Sequence, residues 1–119
     1  MSVERWSVSK ASLDPVVGSE QGRTRPVLVI SESALNDILP VVNVIPLTSR
    51  KPGRRIYPNE VLLISGAAGL TEDSLALTYQ IRTLDKRRLL RSYGKLDDPT
   101  LRGKILAALC FQLGIEFID

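Results

Sequence analysis

Up to residue 97 the apolar residues of this chain come in short runs, each closed by proline, glycine or charge, and helical periodicity of any length is confined to the segment that follows. A chain built this way must bury its core with short strands joined by turns. Arg25 to Ile30 (RPVLVI) is continuously apolar after its first residue and predicts a buried strand starting just after Pro26. Val41 to Leu47 (VVNVIPL) predicts another, with Pro46 placing its end at an edge or bulge. Trp6, Val8, Ala11 and Leu13 mark a strand near the N-terminus. Glu60 to Ile64, Ser74 to Thr78, Ile81 to Leu84 and Leu89 to Leu96 supply further extended pieces, and Ser33 to Leu39 a short helical turn. Two loops interrupt the series: Asp14 to Thr24, with Pro15, Gly18 and Gly22, and Ser49 to Pro58, with two prolines and four basic residues. Many short strands at close spacing predict a small barrel.

The C-terminal segment obeys another rule. Asp98 is a good N-cap, Pro99 suits the first helical position, and Leu101, Ile105, Leu109 and Leu113 recur every four residues, with Leu106 alongside. The prediction is an amphipathic helix whose apolar stripe packs on the barrel or on a partner subunit. The whole is a mainly β fold with one C-terminal helix, in a single domain over residues 1–119.

Composition matters mainly through what is missing. The chain has no histidine and one cysteine, Cys110. Histidine-based nucleophile pairs, two-histidine ribonuclease chemistry, the usual zinc ligand sets and an internal disulfide are thereby excluded. Acid–base work falls to Arg, Lys, Glu, Asp, Tyr, Ser or Thr. A net charge of +3 and a pI near 9.3 suit an anionic partner. No apolar run approaches the roughly 20 residues that span a bilayer, and MSVERWSVSK has no apolar signal core, so the expectation is a cytoplasmic protein without membrane contact.

Three ordered motifs carry a resemblance. Leu13 to Ile30 (LDPVVGSEQGRTRPVLVI), Ile45 to Ser49 (IPLTS) and Asp73 to Leu89 (DSLALTYQIRTLDKRRL) resemble, in order and spacing, the signature segments of the MazF/PemK/Kid toxins. The resemblance implies an SH3-like β-barrel with a C-terminal helix, of the type also used by gyrase-directed toxins, working as a homodimer. It implies a sequence-selective endoribonuclease that cuts single-stranded RNA without metal or other cofactor, leaving 2′,3′-cyclic phosphate and 5′-hydroxyl ends, and that is silenced by a cognate antitoxin protein. The family's catalytic arginine and threonine fall on Arg25 and Thr48, and an accessory glutamate falls on Glu20. The alternative is a toxin-like barrel that binds RNA, gyrase or another protein without cutting.

Chemistry agrees with that carry-over. An arginine fork holds two phosphate oxygens and stays charged, so Arg25 suits neutralisation of a phosphorane. Thr48 can align a 2′-hydroxyl, and Glu20 can accept a proton. The RNA-contacting set is expected to comprise Ser19, Gln21, Ser49 and Gln80 with the basic loop residues Arg50, Lys51, Arg54 and Arg55, whose charges favour phosphate, the alternative for these four being a merely solubilising loop. Lys86, Arg87, Arg88 and Arg91 read as solvated surface, and Cys110 as an inert buried or interface thiol. Tyr57 and Trp6 suit either base stacking or burial. Two departures stand out: the family's opening Arg-Gly-acidic pattern is replaced by Arg5-Trp6-Ser7, and Tyr79 occupies a position where an acidic residue is frequent.

Overall fold

The computed structural model describes residues 2–117. Seven strands form one antiparallel sheet: β1 (Ser7–Ser12), β2 (Thr24–Val29), β3 (Val41–Ser49), β4 (Glu60–Leu63), β5 (Ser74–Leu77), β6 (Arg82–Asp85) and β7 (Leu89–Lys95). Helix α1 (Ser33–Ile38) lies between β2 and β3, and helix α2 (Pro99–Leu113) ends the fold. The strand order is β4-β5-β3-β2-β1-β7, with β6 beside the first half of β3. The architecture is barrel-like, yet open: among the described residues no pairing joins β4 to β7.

Strand alternation explains the unbroken apolar run at β2. Val27 and Val29 point into a cluster with Val3, Ala11, Leu13, Val42, Val44 and Leu84. Leu28 points the other way, into a cluster with Val8, Ile45, Leu47, Leu63, Ile105 and Ala108. Both faces of β2 are covered, so its residues cannot alternate with polar ones. Pro26 lies inside this strand rather than before it, opposite Lys10 of β1, while pairing with β3 begins only at Val27. Its missing N–H therefore falls where the strand has a single neighbour. Pro46, expected at an edge or bulge, lies within the central strand. The register with β6 ends at Val44 and that with β5 begins at Leu47, so the proline occupies the handover between two partners.

The first strand forms without the glycine of the family's opening pattern. Trp6 stands there at φ 72°, a conformation that costs most residues energy. Its N–H donates to Val29 O (2.7 Å), its carbonyl accepts from Leu96 N (2.8 Å), and the guanidiniums of Arg5 (5.0 Å) and Arg102 (5.3 Å) each lie over its buried indole. Trp6 is thus a core residue, and base stacking is closed to it.

Helix α2 begins as expected: the Asp98 carboxylate accepts from Thr100 N and Leu101 N, and Gly114 closes the helix in the left-handed region. It packs across β4 and a 3-10 turn at Thr78–Gln80. Ile105 and Ala108 are buried and Leu101 half-buried, but Leu106, Phe111 and Leu113 stay exposed. The expected stripe reaches the core only in its first half.

Candidate active site

The antiparallel register makes the central pair. Val27 faces Pro46, so two residues further out Arg25 falls opposite Thr48. Arg25 Nε donates to Gly22 O (2.9 Å), which fixes the guanidinium plane, and Nη1 reaches Thr48 Oγ1 at 3.4 Å. That contact is too long to hold either group tightly. Both line a cleft of about 320 Å³ with Arg23, Leu47, Ser49 and Ser74. The Ser49 hydroxyl donates to Glu72 Oε2 (2.5 Å) and Ser74 Oγ to the Glu72 carbonyl (3.0 Å), so an acidic residue absent from the sequence prediction borders the cleft.

The loop before β2 is tied at several points. Asp14 Oδ1 accepts from Arg23 N (2.8 Å), and Leu13 N donates to Arg23 O (2.8 Å). Arg82 donates to Leu13 O, and Arg88 to the carbonyls of Ser12 and Asp14. Arg88 therefore braces the loop instead of merely facing solvent, and Lys86 likewise donates to Asn36 O (2.6 Å). Arg87 does remain at the surface, where its bonds to Asp85 lower that carboxylate's pKa to about 2.

Gln80 clamps the same loop. Its Nε2 donates to Ser19 O (3.1 Å) and its Oε1 accepts from Gln21 N (3.2 Å), so both ends of its amide are committed to backbone on either side of Glu20. Glu20 Oε1 accepts from Val17 N (2.6 Å). Glu20 lines a cavity with Tyr79, Gln80 and Arg82, and is not among the residues that line the Arg25–Thr48 cleft.

The basic loop is less free than its composition suggests. Arg54 forms a fork with the buried Glu60 carboxylate (2.9 and 2.8 Å), and Glu60 Oε1 also accepts from Tyr57 N (3.0 Å). The Arg54 bonds hold Glu60 below the usual glutamate range against the opposing effect of burial. Arg50 donates to Arg54 O. Lys51 and Arg55 remain outward-facing, Arg55 lying 5.3 Å over the ring of Tyr57, which is itself exposed. Of the four charges, two organise the loop and two face outward. Glu60, flanking so basic a run, was the sequence signal for this pairing.

Arg25 and Thr48 thus meet at the rim of the sheet, a cation beside a hydroxyl, in a chain that has no histidine. The chain belongs to the PemK-like, MazF-like toxins of type II toxin–antitoxin systems, whose family pattern it matches over residues 4–113. It is 40% identical over 119 residues to Endoribonuclease EndoA of Bacillus subtilis (strain 168), covering 100% of this chain and 99% of that protein. Among solved structures it is similar to MazF of Deinococcus radiodurans, with a TM-score of 0.81 and 27% identity over 96% of this chain and 98% of that one. An endoribonuclease solved in complex with its cognate antitoxin from Mycobacterial species gives a TM-score of 0.78 and 26% identity, over 98% and 99% of the two chains.

Proposed function

We propose that this MazF-like endoribonuclease toxin cuts single-stranded RNA in the Arg25–Thr48 cleft. The 2′-hydroxyl gives up its proton to water as its oxygen bonds phosphorus. The bond to the 5′-oxygen breaks, and that oxygen takes a proton from water as it leaves, so the proton count balances. The products are a 2′,3′-cyclic phosphate and a 5′-hydroxyl. Arg25 neutralises the crowded phosphorane, where a preorganised cation is worth most. Thr48 aligns the attacking hydroxyl, and Glu20, whose second carboxylate oxygen has no partner among the described residues, offers a hydrogen-bond acceptor on the strand's path. Lys51 and Arg55 hold flanking phosphates. The reaction belongs to the cytoplasm, where messenger RNA is translated.

The single observation that carries this reading is the Arg25 fork: Nε anchored on Gly22 O, Nη1 at the Thr48 hydroxyl, and no partner for Nη2 among the described residues. Two copies of the chain form the working unit, and an acidic antitoxin segment that overlaps the cleft or displaces the Ser49 to Pro58 loop silences it. The test is incubation with a long single-stranded RNA in excess chelator, with the new ends mapped. Cyclic-phosphate and 5′-hydroxyl ends are expected; 5′-phosphate ends, or a need for Mg²⁺, would sink the mechanism. Arg25→Lys keeps a charge but loses the fork, so activity should fall about 10²-fold or more.

A further inference from the structure

Tyr79 departs from the family pattern at a position whose geometry gives the change a consequence. The ring is partly exposed, yet its backbone is held firmly: Thr78, beside it in the same 3-10 turn, donates through both N (3.3 Å) and Oγ1 (2.5 Å) to Asn59 O. On its other side Gln80 clamps Ser19 and Gln21, which fixes Glu20 between them. Tyr79, Glu20, Val17, Gln80, Ile81 and Arg82 line an open cavity of about 430 Å³, room for a nucleobase with solvent. The loop links this cavity directly to the cleft. Gln21 carries the Gln80 bond, and the next residue, Gly22, carries the Arg25 bond.

We infer that this cavity receives one base of the RNA strand beside the scissile phosphate, with Tyr79 as its stacking platform and the second Glu20 carboxylate oxygen as its hydrogen-bond acceptor. The inference rests on the RNA-cutting reading and deepens it. Single-stranded RNA is read by splaying bases onto aromatic rings and bonding their edges. A carboxylate oxygen accepts only, so it favours an edge that presents an amino group, as adenine, cytosine and guanine do. Uracil flanks its lone N–H with two carbonyls, which a carboxylate repels. Where an acidic residue stood beside Glu20, two acceptors would compete for the same base edge; a tyrosine there supplies a π face instead.

Two measurements test this. In the first, the wild type and the variants Tyr79→Phe, Tyr79→Ala and Glu20→Gln cut a randomised RNA library, and base preference is scored at each position around the cut. Tyr79→Phe should keep the wild-type preference. Tyr79→Ala should lose roughly 5- to 100-fold in kcat/KM on the best site, the usual worth of one stacked base. Glu20→Gln should relax discrimination against uracil at one position. An unchanged preference in both Tyr79→Ala and Glu20→Gln would overturn the inference while leaving the enzyme's reading intact; a wild type that cuts no RNA would overturn both. In the second, the wild-type protein binds uncleavable 2′-O-methyl RNAs carrying 2-aminopurine at successive positions. Quenching at one position next to the cut is expected, and its loss in Tyr79→Ala. Equal fluorescence at every position would exclude the stacking pocket without relying on any variant's folding.

Discussion

Trp6 sets two opposed effects against each other. Its burial is favourable, while φ 72° is not. Removing a buried tryptophan side chain costs about 3–5 kcal/mol, whereas holding a non-glycine residue in the left-handed region costs about 1–2 kcal/mol. Burial wins, so both Trp6→Ala and Trp6→Gly should destabilise the fold. Glycine recovers the backbone term and alanine does not. Trp6→Gly is therefore expected to be more stable than Trp6→Ala by about 1 kcal/mol in urea unfolding, reversing the usual order of the two residues. Alanine equal to or better than glycine would mean that the flanking arginines, not the backbone, set the strain. At this scale the meeting of Arg25 and Thr48 was legible from the sequence, because two ordered motifs name both residues and the strand register brings them together. The place of Glu20 was not. Its distance from the cleft depends on how Gln80 holds the loop, and nothing in the spacing of residues 19–25 encodes a contact with residue 80.

Among the elements, the basic loop and its anchor in β4 separate structural charge from functional charge. The Arg54–Glu60 fork keeps Glu60 ionised below its ordinary value of 4.5. A carboxylate with a depressed folded pKa stabilises above its unfolded value and loses that contribution as pH falls through the folded value. Glu60→Gln should therefore cost about 3 kcal/mol near neutrality, the low end for breaking a buried pair, since Arg54 is partly exposed. The gap between wild type and variant should narrow in acid. Denaturant titrations giving one constant gap from about pH 7 down to about pH 3, below the ordinary glutamate range, would show that the charge of Glu60 plays no part. Lys51→Ala with Arg55→Ala should leave stability nearly unchanged and flatten the log–log salt dependence of RNA binding by about 0.7 for each phosphate these side chains neutralise. An unaltered slope would return both side chains to bare solubility. The sequence made all four basic residues look equivalent, because one-dimensional charge counting cannot see that Glu60 faces back across the turn. It also misjudged both strand prolines for a single reason. Proline is barred from a strand only where a neighbour needs its N–H, and neighbour positions come from topology.

The whole molecule leaves one side unfinished. Helix α2 sinks Ile105 and Ala108 into the core, but Leu106, Phe111, Leu113, Ile115 and Phe117 remain exposed, and Ile64 is exposed across a groove between β4 and α2. A four-residue repeat predicted one stripe; the helix carries apolar residues beyond the arc its own sheet can cover, and periodicity does not say which of two faces meets the rest of the same chain. So many large exposed apolar side chains on one terminal segment of a small protein point to an interface. If a second copy covers it, the two chains bury the same patch about a twofold axis, and stability becomes a function of concentration. The melting temperature of the wild type should then rise as protein is concentrated through the micromolar range, and light scattering should report a dimer. Phe111→Asp tests the patch directly. The side chain is 67% exposed, so the charge disturbs little within one chain but sits against its symmetry mate in a dimer. The variant should fold, scatter as a monomer and melt at a temperature independent of concentration. A wild type that is monomeric throughout, or a Phe111→Asp protein that stays dimeric, would move the interface away from α2.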